Sequence, residues 1–93
     1  HPQQRCHRLT RTHWQSIHEA MQMVLTEAIR YEGSTLGDGT YRNALNQTGS
    51  YQNHHRVYNR AGDVCPCCED QVIERIVQAQ RSTFFCKQCQ RRR

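Results

Sequence analysis

The chain has 93 residues, of which 35% are hydrophobic, and its formal net charge at pH 7 is +5. A chain this short forms one small domain or part of a larger one, and it buries only a thin core. It contains no apolar run of membrane-spanning length and no apolar N-terminal stretch typical of a signal peptide. These features argue against a membrane-spanning segment in this chain and favour a small domain that needs a covalent or metal staple.

The first periodic segment predicts a long amphipathic helix. Thr10 is the expected N-cap, and Thr12 offers a competing start. Apolar residues recur at helical spacing on one face, which we expect to pack in the core: Trp14, Ile17, Met21, Val24, Leu25, Ala28 and Ile29. The helix should end near Tyr31 and Glu32, with Gly33 in the left-handed C′ conformation.

The next segment, residues 37–51, contains three glycines and follows neither the helix nor the strand period. It predicts a long mobile loop. Loops of this length in small domains often carry function, and a tolerated insertion is the alternative.

Two Cys-x-x-Cys pairs, Cys65/Cys68 and Cys86/Cys89, bracket 17 residues. This spacing is typical of a tetrahedral four-thiolate Zn²⁺ site with no open coordination position. Apolar and β-branched residues within 72–77 and 83–85 predict a hairpin, with residues 79–82 as its turn and Arg81 at its closed end. The alternative interpretation is two disulfides, which require an oxidising compartment.

The remaining cysteines and the paired histidines are weaker metal candidates. Cys67 lies between two predicted ligands and is taken as a spare thiol, although a slipped pairing with Cys65 or Cys68 stays open. His54 and His55 are adjacent, so on an extended chain they point to opposite faces and do not easily bind one ion. The N-terminal segment, residues 1–8, is interpreted as a surface loop.

The basic residues are concentrated toward the C-terminus. From Arg81 onward there are five cations and no acid, and twelve of the thirteen basic residues are arginine. Arginine binds phosphate through two parallel hydrogen bonds, so the pattern predicts a polyanionic partner. Arg81 is the favoured phosphate contact and Tyr58, flanked by two arginines, the second. For residues 91–93, a solvated tail is equally consistent.

The chain resembles the C-terminal part of the formamidopyrimidine-DNA glycosylase and endonuclease VIII family. The resemblance is carried by residues 1–2, 31–36, 51–60 and 65–90, in the family's order, and most specifically by the run Ala-Gln-Arg-Ser-Thr-Phe-Phe-Cys at 79–86. These segments span nearly the whole chain, and the formamidopyrimidine branch is the more similar one. One departure is Asn59, which stands where the family commonly has glycine.

The resemblance implies a base-excision-repair enzyme, a DNA glycosylase with AP-lyase activity on oxidised purines such as formamidopyrimidine and 8-oxoguanine. The implied partner is double-stranded DNA containing oxidised or abasic sites, from which the damaged base is flipped. Arg81 falls on the family's phosphate-clamping arginine at the hairpin tip, and Tyr58 on a tyrosine that contacts the DNA backbone. Residues 37–50 fall on the loop that closes over the extruded base, and Cys65, Cys68, Cys86 and Cys89 on the zinc ligands.

The resemblance also implies that this chain is a fragment of a larger two-domain enzyme. Pro2 does not match the family's catalytic N-terminal proline, and the only lysine, Lys87, lies inside a zinc knuckle. We therefore expect the chain to bind Zn²⁺ and DNA but to be inactive by itself. Thiolate ligands require a reducing compartment, so we expect a cytoplasmic protein of bacterial type, a monomer that associates with the nucleoid through DNA.

The expected architecture is α+β, with a long amphipathic helix, a mobile loop and a four-cysteine zinc β-hairpin. Three segments are predicted: residues 1–36 from the helix–two-turn–helix region, 37–56 as lesion-capping loop and linker, and 57–93 as the zinc hairpin. Two other functions stay open. One is an RNA-binding zinc finger like that of isoleucyl-tRNA synthetase, and the other is a purely structural zinc ribbon.

Overall fold

A computed structural model describes residues 1–34, 42 and 46–92. Its elements are, in order, a 3-10 helix at Cys6–Arg8, helix α1 at Arg11–Arg30, a 3-10 helix at Tyr51–His54, and strands β1 at Glu74–Gln78 and β2 at Arg81–Phe85. The chain divides into two compact units, residues 9–54 and residues 1–8 with 55–93. The α+β class is confirmed at the level of one helix and one two-stranded sheet.

Part of the predicted mobile loop, residues 37–41 and 43–45, lies outside the described residues, and its mobility stays a prediction. The division into segments 1–36, 37–56 and 57–93 also stays a prediction. Across the described ranges, no helix combines the length and the apolar character that crossing a membrane requires.

Helix α1 begins where the first of the two capping signals placed it. The Thr10 hydroxyl accepts from the His13 backbone N–H at 3.3 Å, and the His13 Nδ1 accepts from the Thr10 backbone N–H at 3.1 Å. This reciprocal pair satisfies two backbone donors at the helix N-terminus. The Thr10 start is therefore confirmed over the Thr12 alternative.

The C-terminal end of α1 corrects one detail of the prediction. Tyr31 is the C-cap, the Gly33 N–H donates to the Ala28 carbonyl at 2.8 Å, and the Glu32 N–H donates to the Ile29 carbonyl at 3.0 Å. These two bonds form a Schellman motif. Its left-handed C′ residue is Glu32, at φ 59°, and Gly33 follows it at φ 76°.

The apolar stripe of α1 does not form a core. No residue of the helix is buried, and Met21, Leu25 and Ile29 are 56%, 58% and 79% exposed. The prediction that this stripe is buried is wrong for this structure. The physical reason is that the unit of residues 9–54 has, among its described residues, no second long helix or strand to cover a stripe of this length.

Residues 49–51 lie against the C-terminal end of α1. The Ser50 N–H donates to the Tyr31 carbonyl and the Tyr51 N–H to the Gly33 carbonyl, both at 2.9 Å. Gly49 is buried there, and a Cβ at this position would lie 2.2 Å from the Gly33 carbonyl oxygen. Only glycine therefore allows the two backbone segments to approach this closely.

Strands β1 and β2 form an antiparallel hairpin in which Glu74 pairs with Phe85 and Gln78 with Arg81. The turn consists of two residues, Ala79 and Gln80, both left-handed at φ 47° and 66°. Two consecutive left-handed residues suit the right-handed twist of the strands. The predicted four-residue turn is thus too long, because Arg81 already belongs to β2.

The segment before β1 was predicted as strand and instead pairs with the chain upstream. The Ile73 N–H donates to the Asp63 carbonyl at 2.8 Å, and the Gly62 N–H donates to the Ile73 carbonyl at 2.9 Å. Cys65, Ile73 and Cys86 form the buried cluster, against which Val57, Cys68 and Phe84 pack. The small core of this unit therefore surrounds the cysteine pairs.

Candidate metal centre and nucleic-acid interface

The four predicted sulfur ligands converge at the open end of the hairpin. The Sγ atoms of Cys65, Cys68, Cys86 and Cys89 all lie within 4.8 Å of one another. The Cys65–Cys89 and Cys68–Cys86 sulfur pairs are 3.9 Å and 3.7 Å apart. A tetrahedron with Zn–S bonds of 2.3 Å has edges of about 3.8 Å, so these sulfurs fit a Zn²⁺ ion.

The same distances argue against the disulfide alternative. A disulfide bond is about 2.05 Å long, and all six cysteines are free thiols. The spare thiol, Cys67, is exposed and lies outside the four-sulfur group.

The first zinc knuckle, the turn that carries Cys65 and Cys68, is a tight backbone turn, and the second carries Cys86 and Cys89. The Cys65 N–H donates to the Gln71 carbonyl at 2.8 Å, and the Glu69 N–H donates back to the Cys65 carbonyl at 2.9 Å. Glu69 turns the chain with a left-handed φ of 55°. Hydrogen bonds from the backbone N–H groups of Cys68 and then Cys67 lower the pKa of Cys65 to about 7. The turn therefore favours a thiolate, the form that binds a metal.

The pKa of Cys68 is lowered in a similar way. The backbone N–H groups of Asp70 and then Gln71 donate to its sulfur and stabilise the thiolate. Desolvation of the sulfur opposes this effect without reversing the direction of the shift. Both thiols of the first knuckle are thus prepared for ionisation by backbone donors.

The second knuckle is closed by Gln90. Its backbone N–H donates to the Cys86 carbonyl at 2.9 Å, and its side-chain Oε1 accepts from the Cys86 N–H at 3.0 Å. Desolvation of the Cys89 sulfur, followed by its hydrogen bonds with the neighbouring sulfurs, raises the pKa of Cys89. Four adjacent thiols cannot all ionise by themselves, whereas a divalent cation offsets the repulsion among four thiolates.

The histidine pair lies apart from this group. The metal-capable cluster found among the described residues contains neither His54 nor His55. His54 stacks on Tyr31, with ring centroids 3.7 Å apart. His55 meets Tyr58 edge to face at 5.3 Å, and burial lowers the pKa of His55.

Arg81 and Tyr58, the two predicted DNA contacts, occupy different faces of the hairpin. Arg81 is exposed and lies directly opposite Gln78, beside the turn. The Tyr58 ring meets Phe84 edge to face at 5.4 Å, and 46% of Tyr58 stays exposed. Since side chains alternate along a strand, Phe84 and Arg81 point to opposite faces. The structure brings both residues to one unit but not to one face.

Sequence reasoning missed another exposed cation of the hairpin, Arg75. It pairs with Phe84 across the hairpin, and its Nε donates to the Ser82 hydroxyl at 2.8 Å. Arg75 therefore shares a face with Tyr58. Alternation along β1 could have revealed this placement once the register was known.

The backbone next to Tyr58 explains one family-level difference. Asn59 has a left-handed φ of 57°. Glycine adopts this conformation freely, and asparagine tolerates it better than most other residues. Asparagine is thus compatible with a position where the resembling family commonly has glycine.

The chain is similar in sequence to formamidopyrimidine-DNA glycosylases. Over 75 residues the chain is 49% identical to a formamidopyrimidine-DNA glycosylase of Chloroflexus aggregans, covering 81% of this chain and 26% of that protein. Over 82 residues it is 42% identical to one of Thermus thermophilus, covering 88% and 30%. The chain matches the C-terminal region of the formamidopyrimidine-DNA glycosylase family. No family model matches it.

Solved formamidopyrimidine-DNA glycosylases have the same fold in this region. The crystal structure of the Thermus thermophilus protein superposes with a TM-score of 0.79 at 40% identity, covering 90% of this chain and 31% of that one. The Lactococcus lactis protein in complex with DNA containing an abasic site superposes with a TM-score of 0.84 at 32% identity, covering 99% and 32%. The chain spans about a third or less of the length of these relatives.

Proposed function

We propose that this chain is the zinc-stabilised, DNA-binding part of a formamidopyrimidine-DNA glycosylase. The observation that carries the proposal is the four-sulfur group at one end of a hairpin whose other end bears the exposed Arg81. Cys65, Cys68, Cys86 and Cys89 would hold Zn²⁺ in a closed site, which supplies folding free energy rather than catalysis. The metal would thereby set the position of the arginine-bearing turn.

DNA binding is supported by charge and by the relatives. The chain carries a formal net charge of +5, and the Lactococcus lactis relative was solved with DNA that contains an abasic site. Arg81 would contact a phosphate beside the damaged nucleotide, and the Tyr58 hydroxyl would donate to the backbone. Such contacts set the position of the DNA without reading its sequence.

We infer a glycosylase with AP-lyase activity on oxidised purines, whose nucleophile lies outside this chain. The exposed apolar stripe of α1 supports a larger parent protein, since a stripe at helical spacing normally packs against another element. The chain covers only about a third or less of the length of each relative, which agrees with this inference. The chain by itself would bind damaged DNA without cleaving it.

Two measurements test the metal and the DNA partner. Native mass spectrometry of the chain, purified in reductant, should give one Zn²⁺ per chain. In a competition titration, duplex DNA with an abasic-site analogue should bind more tightly than tRNA. Preferential binding of tRNA would favour the RNA-finger alternative, and the absence of any nucleic-acid binding would favour a structural ribbon.

Arg81 is tested with a matched loss of one charge. Arg81→Gln should weaken binding to all duplexes similarly, by roughly 1–3 kcal/mol, and should reduce the slope of log affinity against log salt by about 1. The control is Lys87→Gln, which removes another exposed cation of the same unit, one that lies 4.0 Å from the Glu74 carboxylate. Equal effects of the two substitutions would contradict the phosphate-clamp role. A covalent adduct of the isolated chain with DNA after borohydride trapping would contradict its inactivity.

A further inference from the structure

The two ends of the chain form a second basic surface. A groove of about 610 Å³ is lined by Gln4, Arg5, His7, Arg8 and Arg92. We call these five residues the terminal groove. All of them belong to the compact unit of residues 1–8 and 55–93. None has a role in the zinc or hairpin assignments above.

Local structure brings the arginines together. The Arg8 N–H donates to the Arg5 carbonyl at 3.1 Å in the turn that leads into the 3-10 helix. Residues three apart in such a helix lie one above the other, so Arg5 and Arg8 share one side. From the other end of the chain, the Arg91 Nε donates to the Gln88 carbonyl at 3.2 Å, ordering the tail that carries Arg92.

These like charges face the same groove. Within the part of the chain that the structure describes, no ion pair involves Arg5, Arg8 or Arg92. The sequence shows the same bias, since the first acidic residue of the chain is Glu19. Three guanidinium groups facing one groove repel each other, and an anion placed among them relieves that repulsion.

We infer that the terminal groove is a second phosphate-binding surface, which contacts the nucleic-acid backbone in addition to the Arg81 turn. The inference rests on the proposed DNA binding and adds a contact region to it. Arginine forks suit phosphodiester oxygens, and a polar groove lined by three arginines suits a polyanion better than an apolar ligand. Arg92 of the C-terminal tail thus has a defined phosphate-binding role in place of a solvated one.

The test uses the zinc-loaded 93-residue chain and two double variants of equal charge. Arg5→Gln with Arg8→Gln removes two cations of the terminal groove. Arg11→Gln with Arg30→Gln removes two cations of α1. These two residues lie outside the groove and outside the compact unit that contains the four cysteines. Fluorescence anisotropy measures the affinity for labelled duplexes, with and without an abasic-site analogue, over a range of salt concentrations. Zinc content and circular dichroism report whether each variant stays folded.

The groove variant should bind both duplexes about tenfold more weakly, and its salt slope should fall by about 1.8, as expected for two lost phosphate contacts. The α1 variant should lose less than about threefold. Arg5→Lys with Arg8→Lys should recover most of the salt slope, because lysine keeps the charge. Arg92→Gln should lower affinity in the same direction as the groove double variant.

Equal losses in the groove and α1 variants would overturn the inference while leaving the proposed DNA binding intact, provided that Arg81→Gln still weakens binding. Failure of the wild-type chain to bind DNA would overturn both. In one further outcome the groove binds an acidic protein, and competition with a polyglutamate peptide tests for it. If polyglutamate displaces DNA at equal charge concentration, and the groove variant removes that competition, the groove binds an acidic protein rather than nucleic acid.

Discussion

The sulfurs of Cys68 and Cys86 lie 3.7 Å apart although 18 positions separate the two residues in the chain. The hairpin creates this proximity, since pairing from Glu74–Phe85 to Gln78–Arg81 returns the chain to its starting point. One cation can therefore join both knuckles and close the base of the hairpin. With a metal bound there, the position of the Arg81 turn would depend on a site at the opposite end of the hairpin.

The ligand set can be tested by comparing two serine substitutions. Cys86→Ser should reduce Zn²⁺ binding by at least about 100-fold, because the Cys86 sulfur is one of the four that converge and is buried. Cys67→Ser should leave the stoichiometry at one, since this exposed thiol lies outside the group. Metal analysis after dialysis against a weak chelator measures both. Loss of Zn²⁺ in Cys67→Ser would instead indicate the slipped pairing.

Proton release on metal binding should depend on pH in a defined way. The pKa of Cys65 is about 7 against an ordinary value of 9.0. Between pH 7 and 9 the Cys65 thiol of the folded metal-free chain therefore binds fewer protons than a free thiol would. The raised pKa of Cys89 keeps that thiol protonated through the same window.

Zinc binding should accordingly release about four protons near pH 6 and fewer near pH 8, since Cys65 is already ionised at the higher pH. The stabilisation of the Cys65 thiolate is present at pH 9 and is lost as the pH falls through 7. Calorimetry in buffers of different ionisation enthalpy measures the released protons. The same release at both pH values would show that the Cys65 thiol is not perturbed.

Core packing should depend on Ile73 far more than on the apolar helix stripe. Ile73 is 2% exposed, whereas Ile29 on α1 is 79% exposed. Ile73→Ala should destabilise the zinc-loaded hairpin unit by about 3 kcal/mol through lost burial and a cavity. Ile29→Ala should change stability by less than about 0.5 kcal/mol. Hydrogen exchange of the β1 amides measures the first effect, and thermal unfolding followed by helical circular dichroism measures the second.

Substitutions in the hairpin turn should increase the stability of the hairpin. Ala79 and Gln80 hold left-handed φ angles of 47° and 66°, which side chains with a Cβ adopt at a cost. Replacing them with Asn and Gly should stabilise the hairpin by about 1 kcal/mol, because this pair favours two-residue turns of this kind.

The matched control for the turn is Gly62→Ala. Gly62 has φ +89° and open space where a Cβ would lie, so the substitution should destabilise through backbone strain alone, by about 1 kcal/mol. Hydrogen exchange of the β1 and β2 amides reports both variants. A destabilised Asn-Gly turn would indicate that Ala79 or Gln80 makes a contact that the backbone conformation does not explain.

Local chemistry made several features predictable from the sequence alone. Cys-x-x-Cys spacing identified the four sulfurs that converge, and Thr10 identified the start of α1 through its capping bonds. These signals depend on a few neighbouring residues, so they can be interpreted without knowledge of the rest of the fold. The resemblance to the glycosylase family was likewise carried by short segments and is borne out by the comparisons.

Tertiary structure alone decided the remaining features. The stripe of α1 predicted burial, but periodicity says only which side of a helix is apolar and not whether another element covers it. The hairpin register placed Arg75 opposite Phe84, on the face that Tyr58 contacts, and a shift of one residue would have moved Arg75 to the other face. Arg5 and Arg92 meet in one groove although nearly the whole chain lies between them. Such long-range contacts leave no local pattern, because only the packing of the finished fold brings the two ends together.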